Sequence, residues 1–389
     1  MSAGAVWRRL HDARVRAWIS QAAVAGALFA TIWYFVANAS ENMVKAGIAS
    51  GFDFLWRTSG IDVPFRIVDY SPQGDILDLL WVGVANTLLV SLLGMVFATI
   101  LGFLIGVARL SGNLLLRSLA GFYVEFVRNI PLLLFVFFWY FGVIRALPPP
   151  RGSWDLGGVA FLNNRGLYVP APQDASVFAA LPLVVALAAA AFLLLRRWAR
   201  ARQTATGAAF PVWLAGLVLL AAVPLAALIV AAAATPWDLP ALRGFNFRGG
   251  FVLIPEFVAL FAALVTYTAG FVAEVVRGGI LAVGKGQKEA ASSLGLTPGQ
   301  RLRLIVIPQA LRVMVPPMTS QYLNLLKNSS FGAAIAYPEI VSVFMGSALN
   351  ATGQAIEIIA ITLAIYLSIG LAVSAFMNWY NARIALVTR

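Results

Sequence analysis

The chain has no cysteine, a single histidine and only 11% charged residues in 389. Without cysteine there is no disulfide, no thiolate metal ligand and no cysteine nucleophile. His11 falls in a basic N-terminal tail where a solvated side chain is expected, so neither a metal centre nor histidine-based catalysis is in view. The scarcity of charge excludes an ordinary soluble domain, in which roughly 25% of residues are charged. What is there instead is apolar: 61% of the residues are hydrophobic. A net charge of +12 would suggest nucleic acid in a soluble protein. In a membrane chain the sign is better explained by orientation, and nucleic acid is set aside as a partner.

Crossing the hydrocarbon core takes about 20 apolar residues. Runs of that kind predict eight spans, near 17–37, 79–108, 119–145, 176–195, 211–234, 251–276, 305–326 and 354–378. The seventh is interrupted by Pro308, Pro316 and Pro317, which is tolerable where neighbouring helices satisfy the freed carbonyls. The expected fold class is an all-α integral membrane protein of about eight transmembrane helices. Arg14 and Arg16 before the first run, and Ala37-Asn38-Ala39 after it, give it the flanks of a signal peptide. A signal h-region is only about 7–15 residues long, whereas 17–37 can span, with Trp18 and Trp33-Tyr34 near its two interfaces, so a retained helix is expected. With the N-terminus inside, eighteen lysines and arginines fall in inner segments and nine in outer ones. The positive-inside rule then puts both termini in the cytoplasm.

One stretch is polar and capped. Glu289 to Leu294 are acceptable to good helix formers, and Gly295 supplies the left-handed residue that commonly ends a helix. Thr297 can cap a second helix, Pro298 suits its first position, and Gln300 completes a capping box. Pro308 then restricts how that helix continues into the membrane. The same orientation places this element inside.

Glu289-Ala290-Ala291, three residues, Gly295, nine residues, Ile305, one residue and Ile307-Pro308 resemble the EAA motif of ABC importer permeases, E-A-A, three residues, G, nine residues, I, one residue, L, P; Ile307 is the only departure. Residues 123–133, 267–280, 308–312 and 324–330 are similar to the polar amino acid importer permeases. The likeness covers roughly 79–146 and 251–385. It implies a five-helix type I permease core with one extra N-terminal helix and, in 147–250, two inserted ones. The expected organisation is thus 1–78, holding the tail, first helix and a periplasmic segment; 79–146, the first part of the core; 147–250, the insertion; and 251–389, the second part, with a coupling element at 286–308.

The resemblance implies a transport subunit of an ATP-driven importer for L-amino acids of broad, or polar and acidic, range, in the bacterial inner membrane, forming half of a translocation path. The implied partners are a second, paralogous permease, two copies of a cytoplasmic ATPase, a periplasmic amino-acid-binding protein, the amino acid itself and membrane lipid. Glu289, Ala290, Ala291, Gly295, Ile305, Ile307 and Pro308 would meet the ATPase. No cofactor is expected in this chain: ATP and magnesium would be held by that separate subunit. Gly279, four residues and Gly284-Lys285 imitate a P-loop, but Gly286 stands where Ser or Thr must hold magnesium, and an apolar run precedes instead of a strand.

Ionisable groups inside the membrane are costly and mark pathways. Glu125 with Arg128, and Glu274 with Arg277, lie three apart on their helices, where each pair can neutralise itself or serve an inner gate. Asn129, Tyr267, Thr268, Asn324, Asn328 and Ser329 add uncharged polar groups that could meet the amino and carboxyl groups common to all amino acids, or simply pair between helices. Glu256, Glu339 and Glu357 are read as interfacial. The rival function is an ion-coupled secondary transporter, which would predict repeated halves; no convincing repeat is found, and the capped element would have no purpose in it.

Overall fold

The computed structural model describes residues 13–45, 50–208 and 210–384, and His11 and the first arginines lie outside them. In chain order the helices begin with α1 (Ala13–Lys45), α2 (Ile76–Ala108), α3 (Leu114–Arg128) and α4 (Leu132–Phe137), the last continued by a π-helical segment to Ile144. Four short strands follow, β1 (Trp154–Leu156), β2 (Ala160–Asn163), β3 (Gly166–Val169) and β4 (Ala171–Pro172). Next come α5 (Leu181–Thr206), α6 (Val212–Leu217) and, after a π-helical turn, α7 (Val223–Ala234). Strands β5 (Trp237–Asp238), β6 (Ala241–Arg243), β7 (Asn246–Arg248) and β8 (Phe251–Leu253) lead into α8 (Pro255–Leu281). The chain ends in α9 (Lys285–Ser293), α10 (Pro298–Arg301), α11 (Ile307–Asn328), α12 (Leu349–Thr352) and α13 (Ala355–Ile384).

Among the described residues six helical stretches are long and apolar enough to cross a membrane: Arg16–Ala39, Ile76–Ala108, Ala175–Thr206, Leu214–Ala234, Pro255–Leu281 and Ala355–Arg383. The third expected span is not straight. Helices α3 and α4 meet at 109°, because Pro131 cannot donate a backbone hydrogen bond and its ring pushes Ile130 out of the helical region. The seventh, α11, stays helical through Pro316 and Pro317. It does not count among the apolar six, since Gln309, Arg312, Gln321, Asn324 and Lys327 dilute it. A π-helical turn, Leu302–Val306, precedes Pro308.

The architecture is an all-α membrane bundle, to which the inserted connections add small antiparallel sheets of order β1-β2-β3-β8, β4-β5 and β6-β7. They rest on glycine. Gly166 and Gly250 have φ of +120° and +67°, and a Cβ on them would lie 2.3 Å from the Leu253 carbonyl oxygen and 2.4 Å from that of Val169, so only glycine allows β3 and β8 to close.

Two compact units arise. The first contains the described residues of Met1–Leu89, Tyr322–Ala333 and Pro338–Arg389. Its core gathers Phe54, Val63, Leu79, Val82, Ile340, Phe344 and Ile358. Asn86 stitches it, its Nδ2 donating to the Phe65 and Pro338 carbonyls at 3.0 and 2.9 Å. Glu339 and Glu357, expected at an interface, are buried at 0% and 8% exposure. The Glu339 carboxylate accepts from the backbone N–H of Val341 (2.9 Å) and of Ser342 (2.8 Å) and from the Tyr366 hydroxyl (3.1 Å), so it caps the helical turn that starts at Val341. Glu357 accepts from the Gly51 N–H at 2.7 Å.

Glu339 lies in the connection outside the spanning helices, and burial pushes its carboxyl up from 4.5 to about 7. A raised acid stabilises the fold fully below pH 4.5, where it is protonated folded or unfolded, and that contribution is lost as pH rises through 7. Relative to Glu339→Gln, the wild type should lose about 3 kcal/mol of stability over that window. Thermal melts of both proteins from pH 4 to 8 check this, and a pH-independent difference between them would sink it.

The second unit comprises Val90–Gln321 and Ala334–Tyr337, with α8 as its axis. Lipid is as apolar as leucine, so such helices associate through close packing rather than hydrophobic burial. Gly102 and Gly106 on α2 form a G-x-x-x-G pair, and a Cβ on them would lie 2.6 Å from Val272 Cβ and 2.7 Å from the Ala273 carbonyl oxygen. Gly270 receives Val127 of α3 and Gly279 receives Met314 of α11 in the same way. Gly279 is thus sealed inside a helix interface and cannot belong to a phosphate loop.

Candidate functional site

The polar element folds as its local chemistry dictates. Helix α9 closes with the Gly295 N–H bonding to the Ser292 carbonyl (2.9 Å) and the Leu296 N–H to that of Ala291 (3.2 Å). Gly295 itself has φ +73°. This is a Schellman closure, in which two carbonyls left over at the helix end find donors. Thr297 then opens α10 with a complete capping box with Gln300. Arg301 ties the two arms by donating to Ser292 Oγ at 2.6 Å. Gln309 Nε2 donates to Gln287 Oε1 at 3.3 Å, which links α9 to α11.

Of the residues expected to meet an ATPase, Glu289, Ala290, Gly295 and Pro308 are exposed, Ala291 is buried and Ile305 and Ile307 are half-buried. Lys285, Lys288, Glu289, Ser292, Ser293 and Arg301 line an open hollow beside the turn. Leu294 at the tip is 80% exposed, the most exposed large apolar side chain among the described residues. The sequence signal for such an exposed side chain is an apolar residue just before a helix-ending glycine in a mostly polar hairpin.

The charged groups of α3 and α8 pair differently from expectation. Glu274 and Arg277 do bond, with Arg277 Nε donating to Glu274 Oε2 at 3.2 Å. Glu125, however, pairs not with Arg128 but with Arg109, at 3.8 Å from its Nη2. The Nη1 of Arg109 also donates to Glu274 Oε2. Arg128 turns away, its guanidinium 5.8 Å over the Phe271 ring, and Asn129 Nδ2 donates to the Glu125 carbonyl oxygen at 2.7 Å. The result is a row of alternating charge, Glu125, Arg109, Glu274, Arg277, across the ends of α2, α3 and α8. Each carboxylate offsets a guanidinium, so the row carries no net charge. Arg109 is its hub and has the least exposed side chain, 16% against 63% for Glu125. It went unrecognised because its partner Glu274 lies 165 residues away; the G-x-x-x-G pair just before it was the available sign of a close helix approach.

The uncharged candidates divide. Thr268 is buried at 4% exposure. Tyr267 stands between Phe135 and Phe271, with ring centroids at 5.7 and 5.1 Å. Below the α3–α4 bend, Phe126, Ile130, Leu134, Phe135 and Phe138 line an apolar hollow of about 310 Å³. Asn324, Asn328 and Ser329 belong to the other compact unit; Asn324 is exposed, Asn328 half-buried, and Ser329 is buried with its hydroxyl donating to the Leu326 carbonyl at 2.7 Å. The Ser329 side chain also interacts with that of Tyr366 on α13.

Comparison with known proteins identifies the family. The family model described as "Binding-protein-dependent transport system inner membrane component" matches residues 223–386. The chain is 51% identical over 376 residues to the putative amino-acid ABC transporter permease protein YhdX of Escherichia coli (strain K12), covering 96% of this chain and 95% of that one. It is 45% identical to the general L-amino acid transport system permease protein AapQ of Rhizobium johnstonii, over 98% of this chain and 95% of the relative. It is 38% identical to the glutamate/glutamine/aspartate/asparagine transport system permease protein BztB of Rhodobacter capsulatus, over 98% and 96%.

Proposed function

Because the chain belongs to the binding-protein-dependent transport system inner membrane components, and among them to the amino-acid ABC transporter permeases, we propose that it forms half of an L-amino-acid import path and transmits force to it from a separate ATPase through the hairpin at 285–301. It is a multi-pass inner-membrane transport subunit, not an enzyme, and it works with an ATPase and a substrate-binding protein. The second half of the path is a paralogous permease, two ATPase copies hold ATP and magnesium, and both termini face the cytoplasm, a placement that the excess of inner arginine and lysine favours.

The observation that carries this reading is the closed hairpin itself: the end of α9 and the start of α10 are capped from within, yet it presents Leu294 and Glu289 outward, as a docking element must. ATP-driven closure of the ATPases moves the hairpin. Helix α9 follows directly on α8, where the Glu274 row sits two turns back from the helix end, and α9 holds α11 through Gln287 and Gln309. A push at the tip is thereby delivered to the helices carrying the charged row, which acts as the inner gate. ATP shifts the gate only in so far as it stabilises one state more than the other. Within the second unit, the polar candidates Tyr267 and Thr268 line the path.

The test is uptake of labelled amino acids by proteoliposomes that hold this chain with its second permease and ATPase, and the binding protein outside. Uptake should require ATP inside the ATPase compartment and stop when the ATPase is left out. Uptake by this chain alone, driven by an ion gradient, would overturn the reading in favour of a secondary transporter.

A further inference from the structure

The inserted helices end, away from the strands, in a cluster that transport does not use. Arg196, Arg197, Arg200 and Arg202 follow the apolar run of α5 and all are exposed. Arg196 and Arg200 are four apart and Arg197 and Arg200 three, so three guanidiniums share a helix face. Arg202 instead leans over the Trp198 ring at 5.4 Å, and that ring meets Phe210 edge-on at 5.5 Å. Among the described residues none of the four arginines is in an ion pair. The sequence has no acidic residue at all between Asp174 and Asp238. Just before the cluster, Leu193 and Leu194 are 51% and 64% exposed.

Orientation alone does not account for this pattern. The positive-inside rule counts lysine and arginine and is nearly blind to Asp and Glu, so it would have tolerated carboxylates here. It also asks for no tryptophan held between a guanidinium and a phenyl ring. Clustered arginine directly beyond an apolar helix, with an aromatic side chain at headgroup level and exposed leucines one turn deeper, matches both ends of a phospholipid. We propose that Arg196, Arg197 and Arg200 bind the phosphodiester of an anionic phospholipid, with Trp198 at the interface and Leu193 and Leu194 against the acyl chains. Guanidinium forks suit phosphate oxygens because they can donate two parallel hydrogen bonds. An acidic face of the ATPase would satisfy the charges but would leave the leucines unused.

The experiment measures binding of acyl-labelled phosphatidylglycerol to the purified chain in neutral detergent, beside equally labelled phosphatidylcholine. Phosphatidylglycerol should bind saturably and more weakly as salt rises, with phosphatidylcholine at least about tenfold weaker. One basic residue near an anionic surface is worth a factor of about five, so R196Q/R197Q/R200Q should lose on the order of 100-fold. R196K/R197K/R200K, which keeps the charge, should stay within about tenfold of wild type, and R243Q/R248Q, which removes charge from the strand region, should bind as wild type does. Equal binding of the two lipids, wild-type affinity in the glutamine variant, or the same loss in R243Q/R248Q overturns the site. Displacement by millimolar inorganic phosphate means a free-anion site and overturns it too, as does a glutamine variant that keeps the lipid but releases the ATPase. If the glutamine variant fails to fold, the lysine variant and the R243Q/R248Q control decide.

Discussion

Gly295→Val is expected to cut ATP-driven uptake by roughly 5- to 30-fold while leaving the membrane helices folded. The reasoning turns on two facts about one residue. Gly295 has φ +73°, and a Cβ built there meets nothing within 4 Å. The substitution therefore causes no clash, and its whole cost is conformational, about 1–2 kcal/mol for a left-handed residue that is not glycine. That cost is a factor of about 5–30 in the ratio of closed to open turns. The turn is exposed and bonded only to its own hairpin, so the loss falls on docking and not on the bundle. Gly295→Asn, whose side chain tolerates the left-handed region, should recover most of the activity. Uptake and ATP hydrolysis measured on the same proteoliposomes check the expectation; a valine variant that transports like wild type would mean that the turn does not engage the ATPase.

The second large effect is expected at the charged row. Glu274→Gln leaves Arg109 and Arg277 facing each other with their shared carboxylate gone. Leaving a buried charge without its partner costs about 1–3 kcal/mol or more; these side chains are 16–32% exposed, so the lower half of that range applies. If the row holds the inner gate shut, a shift of about 1–2 kcal/mol changes the balance of shut and open states by about 5- to 30-fold. ATP hydrolysis without amino acid should then rise several-fold, and uptake per ATP should fall. The companion measurement is a double-mutant cycle of Arg109→Gln with Glu274→Gln on thermal stability, with an expected coupling of about 0.5–3 kcal/mol. Strictly additive losses would show that the two side chains do not act on each other.

These residues also mark where sequence reading ends. The spans were legible because a hydrocarbon core admits only long apolar runs, and the hairpin because its glycine, threonine, proline and glutamine act within a few residues of one another. Helix α3 was absorbed into a span since its apolar residues run on past Asn129-Ile130-Pro131, although Pro131 gave the break away. The strands escaped notice because each is two to four residues long and set by glycines whose conformations only pairing reveals. Arg109 was missed, and Glu125 was matched to its sequence neighbour Arg128, because proximity along a helix is visible in a sequence and proximity between helices is not. Glu339 was assigned to an interface for the same reason: its partners Val341 and Ser342 are local, but the enclosure that buries it comes from Tyr366 on α13.

The separation of Arg109 from Glu274 by 165 residues sets a timetable for synthesis. At about 5–20 residues per second, a ribosome needs roughly 10–30 s to make the partner once the arginine has emerged. Through that interval the guanidinium has no Glu274, and a bare charge in mid-bilayer would be expelled or would drag its helix out of register. Arg109 stands one residue past the end of α2, where its side chain can wait among the lipid headgroups. The hairpin at 285–301 faces no such delay, since its closing bonds span nine residues or fewer. The nascent chain thus closes this hairpin almost as soon as it is translated, whereas the charged row forms only when α8 inserts beside α2, which makes that row a record that the two helices have been assembled in the correct register.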